Sequence, residues 1–221
     1  MQRIPEPELM DEPAQARAYA EADFSEPNQL FTDAVAARLG GTEAGRLIDL
    51  GCGPGDICLR LASALPGWHI TALDAGPNML ALARQAVERA GLAARIELLQ
   101  ARLPEGCPPG QFDAVVSNSL LHHLPDPMSL WQAVSALARP GTYVQIMDLH
   151  RPDSEARARW IVDQHAADAP PVLRDDFYNS LLAAWTIEEV RTQFEAAGLL
   201  DLQLSRPTER HWMASGFVGA A

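Results

Sequence analysis

Glycines stand at 51, 53 and 55 in the stretch RLIDLGCGPGDICLRL (46–61), between a short apolar run (Leu47, Ile48, Leu50) and a helix start. A strand-to-helix turn needs glycine where the backbone takes positive φ, or where a ligand comes so close that a Cβ would collide with it. Such a turn aims backbone N–H groups at whatever sits on it. The pattern predicts a nucleotide-type site at the carboxyl end of a parallel strand. Asp74 ends the next apolar run, HITALD (69–74). A carboxylate there can accept hydrogen bonds from ribose hydroxyls; a helix-capping or turn aspartate is the plainer alternative.

Acid–base candidates cluster at two further strand ends. SNSLLHHLPDP (117–127) holds His122 and His123, and His150 follows the fifth strand. Each histidine also has a packing or capping explanation. Adjacent histidines on a turn are expected to point apart, and no third ligand is spaced to help them, so no metal is expected. RDDFYNSLLAAW (174–185) sets Arg174, Asp175, Asp176, Phe177, Tyr178 and Asn179 beside apolar residues, as a small-molecule pocket wall would. A lid helix with a solvated edge explains the same pattern. Tyr19 and Phe24 are a second lid candidate. Trp131 and Trp160 fit helix stripes and are expected in the core.

Composition excludes several chemistries. The chain has 221 residues and a formal net charge of −12, which disfavours phosphate backbones and hence nucleic acid as a partner. All 17 basic residues are arginine. That removes a phosphate-loop lysine, a Schiff-base lysine and a Tyr-xxx-Lys pair, each of which needs an amine. Cys52, Cys58 and Cys107 form no CxxC pair; with an acidic, polar start that does not read as a secretion signal, they predict a reducing, cytoplasmic setting. No apolar run approaches the roughly 20 residues of a membrane span. A homodimer is compatible with the chain.

The elements that must hold these residues alternate. Residues 1–40 read as an extended acidic lead, a helix over 14–22, a break at FSEPNQLF (24–31) and a second helix that Asn28 can cap, making a helical cap or lid. Strands are expected at 46–51, 69–74, 95–101, 112–119 and 142–149. Helices are expected from about 56, from Pro77 and over 128–138. Short connections between alternating units mean a parallel sheet with helices on both faces. Residues 151–185 carry no strand and form an insertion over the substrate, with a helix over 154–166 broken at Pro170-Pro171. Thr186–Glu189 is a capping box. Two last strands, 200–205 and 210–218, are so close that they must form a hairpin, which makes the sheet end antiparallel.

The combination IDLGCGPG, LDAGPNML, FDAVVSNSLLHHLPDP and a closing hairpin resembles the class I S-adenosylmethionine (SAM)-dependent methyltransferases. Within them it is similar to the small-molecule branch, such as the C-methyltransferases of quinone biosynthesis. The resemblance is strong over about 40–150 and weaker over 186–221. It implies an α/β, Rossmann-like seven-stranded sheet of order 3-2-1-4-5-7-6 with strand seven antiparallel, and a SAM domain over 41–221. It implies SAM as cofactor and S-adenosylhomocysteine as product.

By the same resemblance, Gly51, Gly53 and Gly55 lie under the methionine part, with Asp49 ordering that turn or the ammonium. Asp74 holds the ribose diol and Met79 lies near the adenine. Ser117 and Asn118 face the amino group and sulfonium, and His122 or His123 lies beside the cofactor. The family's aspartate after strand three is replaced by Gln100-Ala101-Arg102, which leaves the Ala101 N–H for the adenine ring and Gln100 or Arg102 over it. The expected activity is in-line methyl transfer to a small acceptor, with His150, His123 and Tyr178 as candidate catalytic groups. A nicotinamide-dependent oxidoreductase and a non-catalytic interaction subunit are the alternatives. The absence of an N/D-P-P-Y/F/W motif after strand four argues against adenine-N6 methylation.

Overall fold

The computed structural model describes residues 1–7 and 9–219. Seven strands form one sheet: β1 (Gly45–Leu50), β2 (Trp68–Asp74), β3 (Ile96–Gln100), β4 (Ala114–Asn118), β5 (Tyr143–Leu149), β6 (Gln203–Thr208) and β7 (His211–Phe217). Their order is 3-2-1-4-5-7-6, with parallel neighbours up to β5 and antiparallel pairing of β7 with β5 and β6. This is the expected Rossmann-like sheet. The order reverses between β1 and β4, and the crevice outside the carboxyl ends of those two strands is where such sheets bind ligands.

Eight helices surround the sheet among the described residues: α1 (Pro13–Glu21), α2 (Ser25–Leu39), α3 (Asp56–Ala64), α4 (Pro77–Arg89), α5 (Met128–Leu137), α6 (Glu155–His165), α7 (Pro171–Ala183) and α8 (Ile187–Ala196). Strand alternation divides the core. Leu47 and Ile70 pack with Phe31, Val35, Leu61 and Leu80 on one face. Ile48 and Leu50 pack with Trp131, Phe194 and Trp212 on the other. A smaller cluster joins Leu149 to α6 and α7 through Ile161, Val162, Leu181 and Leu182.

Local signals explain most helix ends. Proline opens α1, α4 and α7, where its missing N–H costs nothing. The α8 capping box forms in both directions between Thr186 and Glu189. Four details differ from expectation. Arg206, Pro207 and Thr208 belong to β6, which carries a register irregularity there, so the hairpin turn is Glu209-Arg210. Pro171 starts α7 as well as ending what precedes it. Asn28 does not cap α2, which begins at Ser25; its side chain instead reaches Asp56 and Asn118. Trp160 is 42% exposed under the Arg157 guanidinium, outside the core that holds Trp131.

The insertion after β5 is α6 and α7, with one isolated bridge between His150 and Trp185. Among the described residues no helix is long and apolar enough to cross a membrane. Helix α2 is part of the main core: Phe31 is fully buried and its carbonyl accepts a hydrogen bond from Gln145 Nε2 of β5 at 2.9 Å. Phe31→Ala leaves a cavity between α2 and the sheet and is expected to cost about 3–5 kcal/mol in urea unfolding. A cost below about 1 kcal/mol would mean that α2 is not part of that core.

Candidate active site

The glycine turn is hung from the end of β2. Leu73 C=O accepts from both Gly51 N–H (2.8 Å) and Cys52 N–H (2.9 Å). The Asp74 carboxylate accepts from Gly53 N–H (2.8 Å) and Gly76 N–H (2.7 Å). Burial pushes the Asp74 carboxyl above its ordinary pKa, against the pull of those two N–H groups. An ionised carboxylate has about four acceptor positions, so acceptor capacity remains for a ligand beyond these backbone N–H groups.

The two leading glycines serve different needs. Gly51, at φ 77°, is packed so tightly that a Cβ would stand 2.8 Å from the Leu120 side chain. Gly53, at φ 51°, faces open space in the cavity. The first turn of α3, whose leading N–H groups lack helical acceptors, lines the same cavity through Asp56 and Ile57.

That cavity, about 220 Å³, brings together most of the expected cofactor residues: Asp49, Gly51, Gly53, Asp74, Met79, Ala101, Arg102 and Asn118. Asn118 Oδ1 is buried without a hydrogen-bond partner there. Gly55, at φ 90°, precedes α3 and is not among the lining residues. Ser117 does not line the cavity either: its hydroxyl donates to Leu50 C=O at 2.7 Å and ties β4 to β1. The Ala101 N–H is already committed to Asp74 C=O at 2.9 Å, so it does not await a ring nitrogen. Arg102 lines the cavity and the exposed Gln100 does not.

A second cavity of about 620 Å³ lies between the sheet edge, α1, α2 and the α6–α7 insertion. The two cavities share Tyr19, Phe24, Asn28, Asn118, Ser119 and His123 among their walls. The Tyr19 and Phe24 rings lie 4.7 Å apart, and burial, with Asp148, Asp56 and Asp74 nearby, pushes the Tyr19 phenol up to about 12. From the insertion, Asp176, Phe177 and Ser180 line this space. Tyr178 does not; its hydroxyl donates to Glu155 on the exposed side. Nor does His150, whose N–H donates to Arg210 C=O and which lines neither cavity. Of the three expected catalytic groups, only His123 lines a cavity.

The N-terminal lead is a strap across both cavities, which sequence patterning did not reveal. Arg3 donates to the carbonyls of Ala183 and His122 and lies over the Trp185 ring. Ile4 N–H donates to Leu182 C=O. Asp11 Oδ1 accepts from Asn78 N–H and Met79 N–H, so it caps α4 from 67 residues away. Between them, Glu6 accepts from Ser180 Oγ at 3.1 Å and faces both histidines.

The two histidines do not point apart. They share a 3-10 turn (Leu121–His123) with ring centroids 4.1 Å apart, and Glu6 supplies the third group that sequence spacing lacked. His122 Nδ1 lies 2.5 Å from Asp148 Oδ1 at the end of β5. Burial pulls the His122 imidazolium pKa down, and the Asp148 carboxylate overrides it, leaving it above the ordinary value. Burial and the neighbouring His122 charge push His123 down to about 3.

Asp49 lies beneath the glycine turn, where its Oδ2 accepts from Cys58 Sγ at 3.1 Å. Burial pushes its carboxyl up to about 7. In the unfolded chain it ionises near about 4. Between those values only the folded state keeps the proton, so its contribution to stability falls as pH rises across that window and is constant above it. Asp49→Asn keeps the acceptor for Cys58 and removes this decline. Melting curves are expected to shift in the variant's favour, relative to the unsubstituted protein, between pH 5 and pH 8; parallel profiles would contradict the assignment.

Comparison with known proteins agrees with this geometry. Residues 48–144 match the family model described as a methyltransferase domain. A ubiquinone biosynthesis O-methyltransferase of Aeromonas salmonicida is 32% identical over 124 residues, covering 56% of this chain and 51% of that protein. The same-named protein of Xanthomonas campestris is 29% identical over 200 residues, covering 85% and 81%. The chain therefore spans about half the length of the first relative and four fifths of the second. Both names specify O-methylation, unlike the C-methylating branch that the motifs suggested. The plantazolicin methyltransferase BpumL, solved with S-adenosylhomocysteine, shares the fold at TM-score 0.71 and 12% identity, covering 95% of this chain and 92% of that one. The sheet order, the glycine turn, the methyltransferase-domain match over 48–144 and these relatives together support a class I SAM-dependent methyltransferase.

Proposed function

We propose that this chain transfers the methyl group of SAM to an oxygen atom of a small organic acceptor by in-line displacement. The observation that carries the reading is the common wall: a cofactor-type cavity at the β1–β4 crevice opens beside a larger cavity, with Asn118, Ser119 and His123 between them. The larger cavity has the size of a small-molecule site. The names of the relatives support oxygen as the accepting atom.

The roles follow from the chemistry of each group. Asp74 has acceptor capacity for the ribose diol. The glycine turn lets the amino-acid tail lie close to the backbone, and the unpartnered Asn118 Oδ1 can accept from its ammonium. Met79 and Arg102 suit the adenine end. The sulfonium is already a good leaving group, so the protein mainly aligns acceptor oxygen, methyl and sulfur and excludes water. A hydroxyl acceptor must also lose a proton, and the groups able to take or polarise it are His123, which lines both cavities, and His122 in the wall of the larger one, with Glu6 in contact with both rings.

Calorimetry with S-adenosylhomocysteine tests the cofactor reading. The unsubstituted protein is expected to bind, and Asp74→Ala to weaken binding at least tenfold. Gly53→Ala adds a methyl where no protein atom lies within 4 Å. It is expected to cost about 1–2 kcal/mol of stability for its left-handed backbone and to impair cofactor binding about tenfold. No binding to the unsubstituted protein, or binding of NADH instead, would sink the reading. Incubation with methyl-labelled SAM and separate phenols, amines and thiols tests the acceptor atom. O-methyl product is expected from phenols; transfer only to nitrogen, sulfur or carbon would overturn that part while leaving cofactor binding intact.

A further inference from the structure

We infer that Glu6, His122 and His123 form a binding site for a divalent transition-metal ion of the zinc type, set beside the larger cavity. The three side chains offer one ligand atom each, all within 4.8 Å of one another. Glu6 Oε1 stands 3.5 Å from His122 Nε2 and 3.3 Å from His123 Nδ1. Two ligands about 2.1 Å from a tetrahedral ion stand about 3.4 Å apart. A charge-assisted hydrogen bond between such groups is about 2.7–2.9 Å. These two separations match edges of a coordination tetrahedron and are too long for good hydrogen bonds; the two histidine nitrogens lie within 4.8 Å of each other.

The ligand nitrogens also gather on one carboxylate oxygen. His122 Nδ1 is bound to Asp148, so a neutral ring carries its lone pair on Nε2, facing Glu6. A carboxylate behind a ligating histidine fixes ring orientation and raises ligand basicity, and metal sites use this arrangement repeatedly. His123 Nδ1 is buried with no hydrogen-bond partner. A carboxylate oxygen and two imidazole lone pairs this close repel one another unless a proton or a metal cation lies between them. Protons on His122 Nε2 and His123 Nδ1 would relieve these contacts only across separations long for hydrogen bonds; a metal ion satisfies all three groups at once.

Three protein ligands leave a coordination position open, which is the pattern of sites that bind substrate or water. His122 and His123 both line the larger cavity. An acceptor oxygen bound to the ion would lose its proton more readily. This last step alone rests on the methyl-transfer reading; ion binding does not. The ion would also tie the strap residue Glu6 to the 3-10 turn.

Titration of chelator-treated protein with Co²⁺, followed by visible absorption and calorimetry, tests the site. One equivalent with the intense d–d bands of a tetrahedral or five-coordinate ion is expected. Glu6→Gln and His123→Ala are each expected to weaken that binding at least tenfold. Thermal melts and S-adenosylhomocysteine titrations of the same variants check that they remain folded and report on the cofactor reading separately. Absence of stoichiometric uptake, weak octahedral-type bands only, or unchanged affinity in both variants would overturn the proposal. If Glu6→Gln fails to fold, His123→Ala alone decides it.

Discussion

The site depends on one constraint: the chain must leave β1 and enter α3 while its turn stays pinned to the end of β2. Leu73 C=O takes two turn N–H groups and the Asp74 side chain takes a third. Only a left-handed backbone can present those groups together, and glycine adopts it with least strain. Asp74 also accepts from Gly76 ahead of α4, so one carboxylate ties two helix entrances to a single strand end. The side chain proposed to hold the cofactor ribose is thus also one that closes the fold.

The electrostatics of the two cavities follow from buried acids. Asp49, Asp74, Asp148 and Glu6 all lie at or beneath the carboxyl edge of the sheet, in a chain of net charge −12. Burial disfavours each carboxylate unless something positive or hydrogen-bonding compensates it. Backbone N–H groups do so for Asp74 and His122 does so for Asp148. Asp49 is left with a carboxyl pushed up to about 7. A sulfonium with an amino-acid ammonium is a complementary guest for such a surface.

Closure comes from segments distant in sequence. The strap reaches the insertion through Arg3, Ile4 and Glu6, and α4 through Asp11. Tyr19 and Phe24 fill the space between the cavities. These contacts bring apolar and hydrogen-bonded groups over the crevice and shield it from water, as the proposed methyl transfer requires.

Local rules in the sequence determined the βα alternation, the terminal hairpin, the glycine turn, Asp74 and the Thr186–Glu189 box; the strand order came only with the family resemblance that those motifs carry. Those signals are short-range: apolar periodicity, glycine and proline placement, and residues three apart. Tertiary structure decided where each polar group is used. Sheet pairing aims Ser117 at Leu50 C=O, and the junction with β3 spends the Ala101 N–H on Asp74 C=O. The turn into β7 draws His150 to Arg210, and α6 draws the Tyr178 hydroxyl to Glu155. Glu6 meets His122 and His123 across more than 100 residues because the strap folds back over the sheet edge. Sequence spacing cannot encode that meeting, since side-chain direction and long-range contact exist only once strands, strap and insertion have packed together.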